Sequence, residues 1–468
     1  MRIAIVGWGL EGQSVYRFFG NKHDYLIVNE HQRDDFPLQS EKVKLQYLPQ
    51  DKPTGMTGTV EDLSYLEGID SCDKIIYSVV AFKNLQKVYG NDKSFWDKAT
   101  TIQHIFFASC PSPNIIGVTG TKGKGTTSTL IAKLLEAEGK SVHFGGNIGL
   151  PVLDLLPKIK PTDWVVLELT NFQLFNLPYS PHIAICLMIA PEHLDWHSDM
   201  DEYVMAKANI FRHQKPNDLA IYLATDDKSK ELANLSPGKK IPYYSGPGAY
   251  VRDDGMIVIG DNGAEVIRKS EVKLLGEHNL QNICAALTTV YQAVGGIDPF
   301  DKLRVNPEPA KWIDKAKAVL SSFNGLEHRL ELVRSLRGIN YYDDSFGTTP
   351  DTAIVAIRAL PQPKAIILGG SDKGASFDEL AKVIKETEVR HAILIGKTAP
   401  KIEQALKRQQ FTDYSIGPDK MPAIVALARK HAKEGDAVLL STACASFGLF
   451  SDYKDRGNQF KAAVNSLK

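Results

Sequence analysis

The glycine-rich stretch at residues 120–127, GTKGKGTT, contains the residue types best suited to chemistry. It follows the β-branched run NIIGVTG and precedes the helical pattern TTSTLIAKLLEAEG. Glycine N–H groups at a helix N-terminus bind phosphate, and a lysine neutralises its charge. Val118 and Gly125 stand where the usual P-loop has a glycine and a hydroxyl. We expect the phosphates of a nucleoside triphosphate to bind at Lys124, with Thr126 as the nearest hydroxyl for Mg²⁺. A glycine turn without a ligand is the alternative.

Glu168, which ends the apolar run VVLELT, is a second candidate for chemistry. A carboxylate at the end of a buried strand costs free energy unless it is paired or binds a cation. Because Mg²⁺ prefers oxygen ligands, Glu168 near a phosphate loop suits a magnesium site, and a glutamate that reaches solvent is the alternative. His193 and Lys207, taken alone, indicate only a surface histidine and a solvated helix lysine.

The N-terminal sequence GWGLEG provides another glycine motif, with Gly7, Gly9 and Gly12 directly after the run RIAIV. Glu30 ends the next β-branched run, DYLIVNE. This arrangement is the dinucleotide fingerprint, in which a pyrophosphate lies on the helix N-terminus and the acidic residue binds a ribose. Taken alone, it predicts a nicotinamide-dependent dehydrogenase, which stays open as an alternative.

Short β-branched runs alternate with amphipathic stretches along most of the chain, which is typical of parallel sheets covered by helices. VVLELT and HIAICLMIA are continuous in hydrophobicity and therefore predict central strands. We predict an α/β protein of three domains. They are a Rossmann-like N-terminal domain (1–110), a P-loop ATPase-like central domain (111–319) and a Rossmann-like C-terminal domain (320–468).

Composition restricts the classes of partner. The 468-residue chain has 55 Lys and Arg against 55 Asp and Glu, so no basic field favours nucleic acid. No apolar run approaches the roughly 20 residues of a membrane span, and the N-terminal run is too short for a signal peptide. Five scattered cysteines without a CxxC pair indicate a reduced protein. We expect a cytoplasmic monomer that binds neither membrane nor nucleic acid.

Together with the glycine loop, seven short motifs resemble those of the Mur ligase superfamily, whose ATP loop has the form G-[TS]-x-G-K. They follow the family's order and span nearly the whole chain: FGGNIGLP, VVLELTNFQL, APEHLD with AKANIF, LGEHNLQN, GLEHRLE, DDSFGTTP and STACASFGLF. The resemblance implies an ATP-dependent amide ligase of peptidoglycan precursor synthesis. Its closest members join D-glutamate to UDP-N-acetylmuramoyl-L-alanine through an acyl phosphate.

The resemblance also implies a nucleotide site and a magnesium site. Lys207 is implied to be carbamoylated by CO₂, which requires a neutral amine and hence a lowered pKa. The implied catalytic residues are Lys124, Glu168, His193 and Lys207. The implied nucleotide contacts are Gly120, Thr121, Lys122, Gly123, Lys124, Gly125, Thr126, Asn279, Asn282, Arg329 and Asp344. Two Mg²⁺ ions are implied on Thr126, Glu168, His193 and Lys207.

Substrate contacts are implied at both ends of the chain. Lys373, Ser446 and Tyr453 match positions that hold the incoming glutamate, and a cation with hydroxyls suits an amino acid that carries two carboxylates. The other implied substrate residues, several of them for the UDP-sugar peptide, are Leu10, Glu11, Asn29, Glu30, Asn147, Thr170, Asn171, Gln173 and Thr348.

Three departures from the family pattern keep alternatives open. Gly125 gives the loop the G-K-G form of folylpolyglutamate synthases, which lack an N-terminal UDP domain. Phe346 replaces the family's lysine and Gly448 its aspartate, both near the amino-acid site. The alternatives are an L-glutamate-adding ligase, a folylpolyglutamate synthase-like ligase and a nucleotide-binding regulatory protein without catalysis.

Overall fold

The structure, a computed structural model, describes residues 1–48, 62–194, 196–294, 309–372 and 374–468. These residues form four β-sheets and divide into two compact units. Unit 1 comprises residues 1–269 and 281–319, and unit 2 comprises residues 270–280 and 320–468. The sheets and their covering helices confirm the predicted α/β class, whereas the three domain ranges stay predictions.

The first sheet of unit 1 has five parallel strands in the order β3-β2-β1-β4-β5, which is a Rossmann-like order. The strands are β1 (Arg2–Val6), β2 (Asp24–His31), β3 (Val43–Leu48), β4 (Lys74–Tyr77) and β5 (Ala99–Thr100). The helices are α1 (Leu10–Phe19), α2 (Phe82–Tyr89), α3 (Lys93–Trp96) and α4 (Ile102–Ser109). The GWGLEG motif therefore joins the central strand β1 to α1.

The second sheet of unit 1 is also parallel, with the order β11-β10-β9-β6-β8-β7. Its strands are β6 (Ile115–Thr119), β7 (Val142–Gly146), β8 (Trp164–Glu168), β9 (Ile183–Cys186), β10 (Leu219–Leu223) and β11 (Lys239–Tyr243). The helices are α5 (Lys124–Ala137), α6 (Val152–Leu155), α7 (Asn171–Leu174), α8 (Met200–Arg212) and α9 (Asp227–Asn234). Strands β8 and β9 flank β6, which confirms that VVLELT and HIAICLMIA supply central strands.

Strand β9 ends at Cys186, earlier than the apolar run HIAICLMIA suggests. Beyond that point the backbone serves the glycine loop, because the carbonyl of Met188 accepts from the N–H of Thr121 at 2.8 Å. The N–H of Ile189 donates to the Asp226 carboxylate at 3.1 Å. The apolar residues after Cys186 therefore support the loop instead of extending the sheet.

Residues 250–268 form a small antiparallel sheet that the expected alternation of strands and helices missed. Its strands are β12 (Tyr250–Val251), β13 (Met256–Ile259) and β14 (Ala264–Arg268), followed by helices α10 (Glu277–Ala293) and α11 (Pro309–Ser322). The connections are tight turns with left-handed glycines, Gly255 (φ 79°) and Gly263 (φ 62°). A hairpin needs only such a turn, so no helix separates these strands.

Unit 2 contains a six-stranded sheet in the order β15-β16-β20-β17-β18-β19, in which only β15 is antiparallel to its neighbour. The strands are β15 (Glu331–Leu336), β16 (Ile339–Asp343), β17 (Lys364–Gly369), β18 (Val389–Ile395), β19 (Tyr414–Ile416) and β20 (Ala437–Leu440). The helices are α12 (Pro350–Ala359), α13 (Asp378–Glu386), α14 (Ala399–Arg408), α15 (Met421–His431) and α16 (Tyr453–Asn465).

The two parallel sheets of unit 1 share one hydrophobic core. A single cluster of buried residues includes Ile3 from β1, Phe106 from α4 and Leu167 from β8. The carboxylate of Asp154 on α6 accepts from Ser14 Oγ at 2.9 Å and from Arg17 Nη2 at 2.6 Å, both on α1. None of the helices among the described residues has the length and apolarity that crossing a bilayer requires.

Candidate functional site

The glycine-rich loop joins β6 to α5 with a backbone that requires glycine at two positions. Gly120 has φ 139° and Gly123 has φ 89°. A Cβ on Gly120 would lie 2.6 Å from the Cβ of Leu187, and one on Gly123 would lie 2.2 Å from Oδ1 of Asn282. Gly123 caps α5 without a side chain, so the first amides of the helix are available to an anion.

Lys124, the first residue of α5, folds back over this loop. Its Nζ donates to the carbonyl oxygens of Gly120 at 3.1 Å and Thr121 at 2.8 Å. Thr126 is buried in the first turn of the helix, and Lys122 is exposed on the loop. The structure thus combines a cation, a hydroxyl and a helix N-terminus at one place, as the sequence predicts.

Helix α10 carries the two asparagines of the predicted nucleotide site. Asn282 Oδ1 accepts from Thr127 Oγ1 at 3.3 Å, which brings Asn282 to the glycine loop within unit 1. Asn279 belongs to unit 2, and its Nδ2 donates to the carbonyl of Leu275 at 2.7 Å.

Lys207 places a buried amine next to the glycine loop. Its side chain projects from α8, is fully buried, and places Nζ 2.9 Å from the carbonyl oxygen of Gly120 and 4.6 Å from the ring centre of Tyr203. Burial, with the nearby charge of Lys124, lowers the pKa of Lys207 to about 7. A large fraction of the amine is therefore neutral at neutral pH, which is the form that reacts with CO₂. The solvated lysine that the residue type alone suggested is wrong.

Tyr203 contacts the glycine loop, and the sequence analysis gave it no role. It lies one helical turn before Lys207, and its hydroxyl is 2.9 Å from Oγ1 of Thr121. The Thr121 hydroxyl also accepts from the N–H of Ala190 at 2.9 Å, so it connects α8, the glycine loop and the segment after β9. The signal in the sequence was the spacing i, i+4 with Lys207, which places both side chains on one helix face.

Unit 1 also contains the predicted residues Glu168, His193 and Asn147. Glu168 is buried at the end of β8, and its Oε1 accepts from Nδ2 of Asn147 at 2.8 Å. His193 has a left-handed backbone (φ 58°), and its ring centre lies 4.9 Å from that of Phe172. The oxygens of Glu168 and Thr126 suit Mg²⁺ by their chemistry, whereas imidazole suits it less well.

His197 is a second residue that the sequence analysis missed. It is buried, with Nε2 at 2.7 Å from Nδ2 of Asn171 and Nδ1 at 3.1 Å from Oε2 of Glu202. Burial lowers the pKa of the His197 imidazole. The backbone N–H of His197 donates to the backbone carbonyl of His193 at 2.9 Å. His197 therefore anchors the turn that carries His193. Lys83 of α2 donates to the carbonyl of Trp196 in the same turn.

Glu11, a predicted substrate residue in the first turn of α1, connects distant segments of unit 1. Oε1 of Glu11 accepts from Nε2 of Gln103 at 2.9 Å and from Nε2 of Gln173 at 3.0 Å. Gln173 and Thr170 form a capping box at the start of α7. Glu11 thus connects the first sheet's glycine motif to the segment after β8.

Asn29 and Glu30 lie at the end of β2. Oδ1 of Asn29 accepts from the N–H of Trp8 at 2.8 Å, and its Nδ2 donates to the carbonyl of His31 at 2.8 Å. Burial raises the pKa of Glu30, whose Oε1 lies 3.4 Å from Nδ2 of Asn84. Leu10, in contrast, is 70% exposed and accessible to a ligand.

In unit 2, Arg329 lies between two residues with left-handed backbones, His328 (φ 61°) and Leu330 (φ 47°). Asp344, buried after β16, accepts from the N–H of Leu330 at 3.1 Å and from Oγ of Ser441 at 2.6 Å. Burial raises the pKa of Asp344 to about 7, against the opposing effects of Ser441 and Arg329.

Two of the three positions that depart from the family pattern, Phe346 and Gly448, lie in unit 2. Phe346 is exposed, with its ring centre 4.5 Å from the guanidinium carbon of Arg329 and 5.2 Å from the ring centre of Tyr453. Gly448 has φ 99°, a conformation in which an aspartate would be strained. An aromatic ring and a left-handed turn therefore stand in place of two charged side chains.

The loops after β16 and β20 carry Thr348 and Ser446, respectively, and the two strands are neighbours in the sheet. Lys373 lies outside the described residues. Arg456 joins these two loops and was missed by the sequence analysis: its Nη2 donates to the Ser345 carbonyl at 2.7 Å and its Nη1 to the Cys444 carbonyl at 3.0 Å. Arg456 is fully buried.

A group of three potential metal ligands among the described residues, His328, Glu331 and Asp343, lies next to Arg329. Lys461 already places its Nζ 2.8 Å from Oε2 of Glu331. His328 Nδ1 lies 2.7 Å from Oδ2 of Asp343. These contacts describe an ion-pair and hydrogen-bond cluster, separate from the predicted magnesium residues in unit 1.

Comparison with known proteins agrees with the motifs. Residues 118–290 match the Mur ligase middle domain and residues 328–444 the Mur ligase glutamate ligase domain. A UDP-N-acetylmuramoylalanine–D-glutamate ligase of Symbiobacterium thermophilum is 40% identical over 365 residues, 76% of each chain. One of Clostridium tetani is 30% identical over 474 residues, which cover 100% of this chain and 97% of the relative.

Solved structures share the fold at low sequence identity. MurF ligase of Thermotoga maritima in complex with ADP has a TM-score of 0.58 at 17% identity, covering 99% of this chain and 95% of that chain. The MurC UDP-N-acetylmuramate-alanine ligase of the same organism has a TM-score of 0.59 at 16% identity, with full coverage of both chains. The ligase matches exclude the dehydrogenase and the non-catalytic regulatory protein as alternatives. The chain belongs to the Mur ligase family and is an ATP-dependent ligase.

Proposed function

We propose that this protein joins D-glutamate to UDP-N-acetylmuramoyl-L-alanine, with conversion of ATP to ADP and phosphate, in peptidoglycan precursor synthesis. The observation that carries the proposal is the buried amine of Lys207 at 2.9 Å from the glycine loop. Relatives named UDP-N-acetylmuramoylalanine–D-glutamate ligase, 30–40% identical to this chain, support the substrate pair.

ATP binds with its phosphates on the glycine loop. The amides of residues 120–126 and the N-terminus of α5 hold the phosphate oxygens, and Lys124 neutralises the terminal phosphates. Lys124 Nζ now contacts two loop carbonyls, so it must exchange at least one of these contacts for phosphate. Asn279, Asn282, Arg329 and Asp344 complete the proposed nucleotide contacts.

Mg²⁺ fits the oxygen donors of the same site. Thr126, Glu168, His193 and carbamoylated Lys207 would hold it, in two positions. When bound, Mg²⁺ neutralises charge between the phosphate and the attacking carboxylate. Carbamoylation forms a bond between the neutral Lys207 amine and the carbon of CO₂ and releases one proton, so a neutral amine becomes an anion.

The reaction proceeds by two displacements. A carboxylate oxygen of the UDP-sugar alanine attacks the γ-phosphorus of ATP. The bond from that phosphorus to the β-phosphate oxygen breaks, so ADP departs and an acyl phosphate is formed. The amine of glutamate then attacks the acyl carbon, and phosphate leaves after a tetrahedral intermediate. Lys124 and the loop amides hold the transferred phosphoryl group throughout.

Each unit carries its own share of the proposed substrate contacts. Leu10, Glu11, Asn29 and Glu30 receive the UDP group, and Asn147, Thr170 and Gln173 the sugar peptide. Thr348, Lys373, Ser446 and Tyr453 receive glutamate. The aromatic neighbour Phe346 at 5.2 Å from Tyr453 gives this pocket less positive charge than the family's lysine would.

One assay tests the reaction and its alternatives. ADP release is measured with UDP-N-acetylmuramoyl-L-alanine and D-glutamate, L-glutamate or neither, and separately with a reduced folate and L-glutamate. We expect turnover only with the UDP-sugar and D-glutamate. Hydroxylamine should trap the acyl phosphate as a hydroxamate when glutamate is omitted. Preference for L-glutamate or for folate would replace the proposed substrate with the corresponding alternative.

A further inference from the structure

The loop that carries Arg329 has a backbone that its own residues do not favour. His328 and Leu330, on either side of Arg329, both have positive φ angles, 61° and 47°. A left-handed backbone costs on the order of 1 kcal/mol or more for residues other than glycine. Such a conformation persists only when surrounding contacts impose it.

The carboxylate of Asp343 imposes the conformation at His328. Its Oδ2 is 2.7 Å from Nδ1 of His328, and its Oδ1 accepts from the N–H of Ser345 at 2.9 Å. Asp343 is completely buried at the end of β16, and His328 is 2% exposed. Both carboxylate oxygens of Asp343 are therefore engaged within the protein.

The main chain of His328 is held as well. Its N–H donates to Oε2 of Glu331 at 2.9 Å, and its carbonyl accepts from the N–H of Phe346 at 2.9 Å. On the other side of Arg329, the N–H of Leu330 donates to Asp344 at 3.1 Å. The two consecutive carboxylates at the end of β16, Asp343 and Asp344, thus each hold one of the residues that flank Arg329.

Helix α16 closes this arrangement from behind. A Cβ on Gly457 would lie 2.2 Å from Nδ1 of His328 and 2.7 Å from Oδ2 of Asp343. The helix backbone therefore packs directly on the His328–Asp343 pair and leaves the imidazole no room to turn. The stack of Arg329 on Phe346, at 4.5 Å, then defines the direction of the guanidinium.

We propose that Asp343 is a positioning residue for ATP use, acting through His328 to hold Arg329 in the orientation that binds a phosphate of the nucleotide. This inference rests on the proposed role of Arg329 in ATP binding and adds a residue that touches no substrate. It also gives a reason for the strained backbone, since a rigid loop loses less conformational entropy when its arginine binds.

A double-mutant cycle on full-length enzyme tests the inference. Steady-state kinetics give KM for ATP and KM for UDP-N-acetylmuramoyl-L-alanine in wild type, Asp343→Ala, Arg329→Ala and the double variant. We expect Asp343→Ala to raise KM for ATP about tenfold, the size expected for loss of one charge-assisted hydrogen bond, with KM for the UDP-sugar unchanged. In the Arg329→Ala background, Asp343→Ala should change KM for ATP less than twofold, because the residue it positions is gone.

The conservative variant Asp343→Asn separates positioning from general damage. An asparagine carbonyl can accept from Ser345 while its NH₂ donates to the other tautomer of His328, so KM for ATP should stay within threefold of wild type. If Asp343→Ala fails to fold, as judged by circular dichroism, His328→Gly replaces it. Glycine adopts the left-handed backbone without strain but loses the imidazole contact, and it should also raise KM for ATP.

The outcomes distinguish the inference from the function on which it rests. Equal effects of Asp343→Ala with and without Arg329 would overturn the inference alone. An unchanged KM for ATP in Arg329→Ala would overturn both the nucleotide role of Arg329 and the inference. A fall in kcat with no change in any KM would also contradict the inference, because it would mean that Asp343 does not act on ATP binding.

Discussion

The side-chain nitrogen of Lys207 lies 2.9 Å from the carbonyl oxygen of Gly120, so a fully buried lysine contacts the phosphate loop. The same carbonyl also accepts from Lys124 at 3.1 Å. Two amines on one carbonyl repel each other when both are charged, which helps to lower the pKa of Lys207. This arrangement supports the proposed roles of Lys124 in holding phosphate and of Lys207 as the carbamoylated residue.

Replacing Lys124 with alanine should reduce ADP formation by about 10²–10³-fold, because the cation on the terminal phosphates is lost. The measurement is initial-rate ADP release at saturating substrates. The matched control is Lys133→Ala, an exposed lysine on the same helix, which should retain wild-type rates. A Lys124→Ala enzyme with near-normal turnover would contradict the loop assignment.

Replacing Tyr203 with phenylalanine should raise KM for ATP about two- to tenfold, because Thr121 loses a buried hydrogen bond worth about 1 kcal/mol. The aromatic ring over Lys207 is retained, so carbamoylation should be unaffected. Titration of MgATP by calorimetry measures the effect. Equal ATP affinity in wild type and Tyr203→Phe would show that the Tyr203–Thr121 contact does not position the loop.

The stability difference between wild type and Lys207→Met should depend on pH in alkaline solution. The folded pKa of Lys207, about 7, is below its usual 10.5, so its contribution to stability is complete above pH 10.5 and is lost as the pH falls to 7. The change should be at most about 1.4 kcal/mol per pH unit. Urea unfolding in CO₂-free buffers measures it, and a pH-independent difference would mean that Lys207 stays charged.

Carbamoylation of Lys207 has its own test. Lys207→Ala should be inactive and should recover partial activity when a short carboxylate such as formate is added, because the small anion can enter the vacated space. Wild-type activity should fall on removal of CO₂ and return with bicarbonate. CO₂-independent activity of wild type would argue against the modification.

Asp344 should give a pH dependence of the opposite sign. Its folded pKa, about 7, is above its usual 3.8, so its contribution is fully present below pH 3.8 and is lost as the pH rises through 7. Compared with Asp344→Asn, wild type should therefore lose stability between about pH 4 and 7 and show no further change above pH 8. Urea midpoints across this range measure the difference, and a wild-type gain over the same interval would contradict the sign.

The sequence predicts the parts of the site that depend on local backbone rules. The glycine loop is such a part, since the positive φ angles of Gly120 and Gly123 and the following helix start follow from residue type. Continuous hydrophobicity, another local property of the sequence, predicts the strands β8 and β9. The antiparallel sheet at 250–268 was missed because the alternation pattern assumes a helix after each strand.

Contacts between distant segments could not be read from the chain. Tyr203 with Thr121, His197 with Asn171, and Arg456 with Ser345 are pairs whose partners are set by tertiary packing. Each is polar and buried, so a one-dimensional pattern classifies it as surface. Only the resemblance to Mur ligases could place His193 and Lys207 in the candidate site. Phe346 marks a position at which this chain departs from the family pattern.

The shared interior of the two parallel sheets in unit 1 matters for anyone who recombines ligases of this family. A chimaera that exchanges only residues 1–110 would separate Ser14 and Arg17 from the Asp154 of its native host. In such a chimaera, the apolar surface of the first sheet from one parent would also have to pack against that of the second sheet from another parent. An exchange of the first sheet should therefore transfer all of unit 1, residues 1–269 and 281–319, together.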